Sequence, residues 1–185
     1  MIGVITKGRD FGGLFNYALD IEKEYEILPT DDMPLCRSVL GLTREFELIV
    51  DLRPRTLLPV RHYSISFAPD DVVDLQTKAK IVDEIMEQMG FKDAQYIAVT
   101  HSQNNLNHVG THDHDHLHII ANAITRSGSR VSDHFDNRNL EVALRKIEYK
   151  YHLTPVICSR GILAKRLPPE LKQQVKSKLQ HFPLI

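Results

Sequence analysis

The chain has 185 residues, 42% of them hydrophobic, and a formal net charge of −1, a composition typical of one globular domain with a sizeable core. No apolar run approaches the roughly 20 residues of a membrane span, no signal peptide is recognisable, and the two cysteines form no motif, so a reduced cytoplasmic compartment is expected. The near-neutral charge gives no general sign of a polyanionic partner, although basic residues dominate from Arg126 onward.

The first third of the chain predicts one short strand and two helices. The strand covers residues 2–6, and apolar residues at helical spacing then predict a helix over residues 11–25. Tyr17 lies about 60° beyond the edge of this apolar stripe, so that it could point into a groove rather than into the core. A second helix is predicted for residues 35–52, ending before Pro54.

The middle of the chain predicts strands with one polar face. Residues 60–67 alternate, and their polar face carries His62 and Ser64. An amphipathic helix that ends at Gly90 follows, and then a strand over residues 96–101.

The most distinctive stretch is THDHDHLHIIAN, residues 111–122, which places four of the ten histidines within seven residues. In a strand over residues 116–124, alternation would put His116, His118 and Asn122 on one face and apolar residues on the other. On that face Asn122 could support a ligand or the DNA backbone. An amphipathic helix follows, and a basic helix closes the chain.

This order of elements predicts an α/β fold, more closely an α+β sandwich. Its central, mainly antiparallel sheet would have about five strands, because the two strands before and within the histidine stretch are joined without a helix. Helices would pack on one face and leave the histidine face open. Residues 1–160 would form the domain, and residues 161–185 its basic helical extension.

A hairpin of those two strands would place His101 beside His116, so that His101, His116 and His118 converge. Three neutral imidazoles leave coordination positions open, which suits a catalytic metal site. Other histidines of the connecting loop could supply the third ligand instead: His108, His112 and His114. Two carboxylates could orient an imidazole through its second nitrogen: Asp113 and Asp115.

Tyr17 is the candidate nucleophile. A tyrosine can attack a phosphodiester and hold the product covalently, and a cation that neutralises the phosphate makes this feasible. The competing interpretation is that Tyr17 is an aromatic residue at the edge of the core, since the composition does not distinguish it from the other five tyrosines.

These motifs together resemble the MOBP-class relaxases, the mobilization nucleases within the HUH endonucleases. His116-Leu117-His118 followed by Asn122 is similar to the family signature H-U-H-x-x-x-N, in which U is hydrophobic. YIAVTH (96–101) resembles the preceding strand with its third metal histidine, and KGRDFGGLFNYAL (7–19) resembles the motif whose tyrosine is the nucleophile, here Tyr17. Segments 61–69 and 131–155 are also similar to the family.

The resemblance implies nicking of one DNA strand at an origin of transfer during plasmid mobilization and conjugation, through a 5′-phosphotyrosyl intermediate. It implies Mg²⁺ or Mn²⁺ as cofactor, other divalent ions being accepted, and single-stranded DNA and accessory relaxosome proteins as partners. The family usually has H-x-D at the third histidine, whereas this chain has His101-Ser102-Gln103 and a long loop. The choice between His101 and a loop histidine therefore stays open.

Candidate DNA contacts are basic or polar side chains near these motifs: Arg9, His62, Ser64, Arg126 and Arg130. Phosphate contacts of this kind weaken as salt rises. A rolling-circle replication initiator or transposase would share the chemistry but usually carries its tyrosine after the histidine pair, where this chain has Tyr149 and Tyr151. Two further candidate functions are a non-catalytic metal- or DNA-binding module and a metallohydrolase that uses activated water.

Overall fold

The structure is a computed structural model that describes residues 1–20, 25–32, 34–101, 115–156 and 169. Within these residues the chain forms five strands and four helices. In chain order they are β1 (Ile2–Gly8), α1 (Phe11–Ala18), β2 (Tyr25–Ile27), α2 (Val39–Val50), β3 (Val60–Ser66), α3 (Leu75–Gln88), β4 (Ala94–His101), β5 (His116–Thr125) and α4 (Asp136–Lys150).

The strands form one sheet in the order β1-β3-β5-β4-β2, and all neighbours are antiparallel. Strand β5 lies at the centre, where it pairs with β3 and β4. The register places His116 opposite His101 on β4, and His118 opposite Ser64 on β3. The predicted five-stranded antiparallel α/β fold is thereby confirmed, as is the pairing of the two strands that carry histidines.

Helices cover both faces of the sheet, which corrects the prediction that they lie on one. Helices α3 and α4 pack on the face that includes Tyr63, Ala98 and Ile119, while α1 and α2 pack on the face that includes Val99 and Ile120. The physical reason is that β4 and β5 are apolar on both faces beyond their histidine ends, and each apolar face must be shielded from water. The histidine face is therefore open only in part.

The first helix is shorter than predicted, because α1 ends at Ala18 and Tyr25 belongs to the unpredicted strand β2. Tyr25 fits the helical spacing of the preceding apolar residues only by coincidence. In the structure it pairs with His101, so that β2 protects the edge of β4 beside the histidines.

The predicted basic helical extension lies outside the described residues, apart from Pro169. Among the residues that the structure describes, no helix has the length and apolar character needed to cross a membrane.

Candidate active site

Three histidines converge at one end of the central strands. His101 is the last residue of β4, and His116 and His118 lie at the start of β5. One ring nitrogen from each lies within 4.8 Å of the other two. His101 and His118 are only 8% and 5% exposed, so that their imidazoles are held by surrounding protein. Among the described residues, a cluster of three histidines is thus present where the sequence predicts one.

Several ring nitrogens of these histidines contact protein groups. His101 Nε2 lies 3.1 Å from the carbonyl oxygen of Ala18, while His101 Nδ1 lies 3.2 Å from His116 Nε2. His118 Nδ1 lies 2.9 Å from His62 Nε2. Burial lowers the pKa of His62, which favours its neutral form. The two pairs meet at His118, whose ring centroid lies 4.9 Å from that of His101 and 5.0 Å from that of His116, so that four imidazoles are in contact across strands β3, β4 and β5.

Helix α1 places Tyr17 beside this cluster. Its buried side consists of Phe11, Phe15 and Ala18, whereas Tyr17 is 49% exposed. The Tyr17 ring meets His118 edge to face, with 5.7 Å between ring centroids and 86° between the ring planes. The helix thus anchors one face in the core and presents Tyr17 to both the cluster and solvent.

Helix α1 is held in place by an aromatic cluster with α2. The rings of Phe11 and Phe15 each lie 5.2 Å from that of Phe46, centroid to centroid. Helix α2 is in turn tied to the sheet by Asn122, whose Nδ2 donates to the Phe46 carbonyl oxygen at 3.0 Å. The position of Tyr17 therefore depends on packing between segments that are far apart in sequence.

Asn122 lies away from the histidines. It follows His118 by four residues, roughly 13 Å along a strand, and is fully buried. Besides its bond to α2, its Oδ1 accepts from the backbone N–H of Ile124 at 3.0 Å. These contacts give the residue a structural role in joining α2 to β5.

Asp115 faces the opposite side of the sheet from His116. It forms a 2.5 Å ion pair with the ammonium group of Lys78, and Thr100 Oγ1 lies 3.3 Å from its Oδ1. Sequence reasoning misses Lys78, although its position in the apolar spacing of α3 is a signal that it is buried. The remaining candidate ligands lie outside the described residues: His108, His112, Asp113 and His114.

The expected DNA-contact residues are not all near the cluster. Ser64 lies beside His118, and Arg9 is exposed between β1 and α1. Arg126 follows the far end of β5, roughly 30 Å from His116 by the rise of a strand, and Arg130 lies opposite Ile124 near that same end. There Arg126 pairs with Asp32 and Arg130 with Asp133.

An open strip of sheet borders the histidines on the side of β1. Ile2 and Val4 are paired with Ser66 and Ser64 and thus share the face of His118. They are 60% and 57% exposed, because α1 and α2 cover the other half of this face. The strip, defined by Ile2, Val4, Thr6, Ser64 and Ser66, gives access to the cluster from solvent.

A five-stranded antiparallel sheet with a histidine cluster on its central strands and a tyrosine beside it defines an α/β nuclease domain of the HUH type. The family model described as relaxase, MobA/VirD2-like, nuclease domain, matches residues 17–153, about three quarters of the chain. The chain belongs to this relaxase family and is a nuclease domain of the kind that nicks and binds single-stranded DNA. No curated protein sequence matches it significantly.

Proposed function

We propose that this protein is a metal-dependent, site-specific nickase of single-stranded DNA that acts in the cytoplasm at an origin of transfer. Tyr17 would cut the strand by transesterification and remain joined to its 5′ end during plasmid mobilization and conjugation. The observation that carries this proposal is the contact of the half-exposed Tyr17 ring with His118, a member of the histidine cluster.

The donor set fits a divalent cation. His101, His116 and His118 offer three ring nitrogens within 4.8 Å of one another, and three ligands leave positions for water and a phosphate oxygen. Bound there, the cation would polarise the scissile phosphate and neutralise its charge. Imidazole suits transition metals better than Mg²⁺, so that of the two ions implied by the family resemblance, Mn²⁺ matches these ligands more closely.

The chain's own residues supply the covalent step. The Tyr17 Oη attacks phosphorus, the bond from phosphorus to the 3′ oxygen breaks, and a 5′-phosphotyrosine forms. The tyrosine proton leaves to solvent, and a proton from solvent completes the 3′-hydroxyl of the released strand. The phenol side chain stands at the open edge of the cluster, where a strand can enter and the released end can leave.

The open strip offers a path for the strand. Its exposed apolar side chains, Ile2 and Val4, could contact bases, and Ser64 beside His118 could donate to a phosphate. Arg9 could bind phosphate farther along the strand, with contacts that weaken as salt rises. Arg126 and Arg130 would contact only DNA that extends well beyond the scissile phosphate, or accessory relaxosome proteins.

The tyrosines that a rolling-circle initiator or transposase would use lie elsewhere. Tyr149 and Tyr151 are at the end of α4, which packs on the sheet face opposite the histidines. The Tyr151 hydroxyl donates to Glu84 at 2.6 Å, and burial with this bond raises the pKa of Tyr151 to about 12. Their placement favours Tyr17 as the nucleophile.

A covalent-adduct assay tests the proposal. Wild-type protein is incubated with Mn²⁺ and labelled single-stranded oligonucleotides that carry candidate origin sequences, and the products are separated on a denaturing gel. We expect label to migrate with the protein and to disappear with Tyr17→Phe or chelator. Tyr149→Phe, which removes a similarly exposed phenol hydroxyl on the other face of the sheet, serves as the matched control and should retain the adduct.

Different results would point to a different function. Cleavage without an adduct would indicate a hydrolase that uses activated water. An adduct that is lost in Tyr149→Phe but kept in Tyr17→Phe would indicate a nucleophile that follows the histidine pair in the sequence, as in a rolling-circle initiator or transposase. Metal binding without DNA chemistry across a broad oligonucleotide pool would favour a binding module.

A further inference from the structure

We infer that His62 is a positioning residue, which fixes His118 in the tautomer that binds metal through Nε2, while the Ala18 carbonyl fixes His101 to bind through Nδ1. This inference rests on the proposed metal centre and adds the atom by which each of these ligands binds. It also gives His62 a role other than DNA contact.

The contact between His62 and His118 leaves two proton arrangements. One nitrogen of the 2.9 Å pair must donate and the other accept. If His62 donated to His118 Nδ1, a neutral His118 would carry its proton on Nε2 and could not bind metal there. If His118 Nδ1–H donates to His62 Nε2, the lone pair on His118 Nε2 can bind the cation. Only the second arrangement is compatible with both the contact and ligation through Nε2.

The contacts of His101 select Nδ1 as its metal-binding nitrogen, whereas His118 would bind through Nε2. A carbonyl oxygen only accepts, so the 3.1 Å contact with Ala18 requires the proton of His101 to be on Nε2. The lone pair is then on Nδ1, the atom that faces His116 Nε2 at 3.2 Å. A hydrogen bond between these two nitrogens needs one proton, on His116 Nε2, and a cation that binds both lone pairs would take the place of that proton.

The His62 imidazole itself lies outside the donor set. Among the described residues, the group of mutually close ligand atoms contains His101, His116 and His118 but not His62. The rings of His62 and His118 lie edge to edge and nearly coplanar, with 5.1 Å between centroids and 24° between planes. His62 therefore sets the ring orientation of a ligand, as hydrogen-bonded outer partners do in other metal sites.

The Ala18 contact links the nucleophile to the ligands. Ala18 directly follows Tyr17 and ends α1, so that one helix end both presents the phenol and holds the ring of His101. A displacement of α1 would move the nucleophile and a metal ligand together.

NMR with an NMR-active cadmium isotope and nitrogen-labelled histidine tests which atoms bind. We expect scalar coupling of bound Cd²⁺ to His101 Nδ1 and His118 Nε2, and none to His62. Coupling to His101 Nε2, to His118 Nδ1 or to His62 would overturn the inference while leaving the metal centre intact. A wild-type protein that binds no Cd²⁺ would overturn the metal centre and the inference together.

Variants of His62 test the positioning role by calorimetric titration with Mn²⁺ and Cd²⁺. His62→Leu, which removes the acceptor, should weaken metal binding about 10- to 100-fold. His62→Gln retains an acceptor oxygen and should recover most of that loss. His134→Leu, at an exposed histidine far from the cluster, controls for the loss of an imidazole. Equal affinities in wild type and His62→Leu, or equal losses in the Leu and Gln variants, would contradict the inference.

Discussion

At the scale of single residues, Asn122 shows how a side chain on the face of the histidines can serve the fold. Its strand position predicts support for a ligand or the DNA backbone. In the structure its amide instead bridges the Phe46 carbonyl of α2 and the Ile124 N–H of β5. Because α2 supports α1 through the aromatic cluster, Asn122 would affect Tyr17 only through packing.

Asn122→Ala should therefore lower stability without weakening metal binding. The substitution removes the side-chain bond to the Phe46 carbonyl and leaves the buried Ile124 N–H without its side-chain acceptor, at a cost of about 1–3 kcal/mol. Urea unfolding measures the loss, and Mn²⁺ titration of the folded variant measures metal affinity. Asn137→Ala, on an exposed position of α4, should change stability by less than about 0.5 kcal/mol. A variant of unchanged stability whose metal affinity falls tenfold would instead show that Asn122 supports a ligand.

The histidines and Tyr17 are accessible to sequence reasoning, whereas their partners are not. Alternation along a strand places His116 and His118 on one face, and helical spacing separates Tyr17 from its buried neighbours. The Ala18 carbonyl carries no side-chain signal, and the His62 contact depends on a register between strands far apart in sequence. Tertiary pairing, rather than any local pattern, creates these bonds.

At the scale of elements, strands with one strong pattern are predictable and the short edge strand is not. Strands β3, β4 and β5 have alternating or continuous apolar residues long enough to define their limits within one or two positions. Strand β2 has only three residues, and its pairing with β4 decides its conformation. Likewise, helices cover both faces of the sheet because Val99 and Ile120 must be buried on the histidine face. In the sequence these apolar residues are less conspicuous than the neighbouring histidines, which suggest an open face.

Helix α3 begins with a carboxylate cap whose contribution should depend on pH. Asp74 Oδ1 accepts from the Thr77 N–H at 3.0 Å, and Thr77 Oγ1 donates to Oδ2 at 2.6 Å. These bonds lower the pKa of Asp74. A carboxyl group with a lowered pKa in the folded state adds stability above its unfolded value, near pH 4, and loses it as the pH falls through the folded value.

Asp74→Ala should therefore be less stable than wild type at pH 7, and the difference should shrink as the pH falls below about 4. Urea unfolding at several pH values measures this difference. Asp74→Asn retains a neutral cap and should show a smaller loss with little dependence on the charge. A wild-type advantage that grew on acidification would rule out the charged cap.

At the scale of the whole molecule, several charged side chains that the sequence leaves unassigned form ion pairs within the protein. The C-terminal excess of basic residues is compatible with a phosphate-binding face or with a solvated helical surface. Arg126 and Arg130 pair with aspartates at the far end of the sheet, and the buried Arg145 pairs with Glu148. Glu148 also binds the amino group of Met1. Among the described residues, these pairs engage basic side chains within the fold, so we expect DNA affinity to depend on the open strip and the histidine end.

The histidine cluster should couple metal binding to the stability of the whole domain. Its ligands come from β4 and β5 at the centre of the sheet, so the complete site exists only in the folded state. A ligand that binds only the folded state adds about 2.7 kcal/mol at a concentration 100 times its Kd. The midpoint temperature of thermal unfolding should therefore rise with Mn²⁺. It should rise more with Co²⁺ or Ni²⁺ and least with Mg²⁺, following the preference of imidazole for these ions. His116→Ala, which removes the least buried ligand, should abolish the shift. An equal shift in this variant, or a larger one with Mg²⁺, would place the stabilising ion elsewhere.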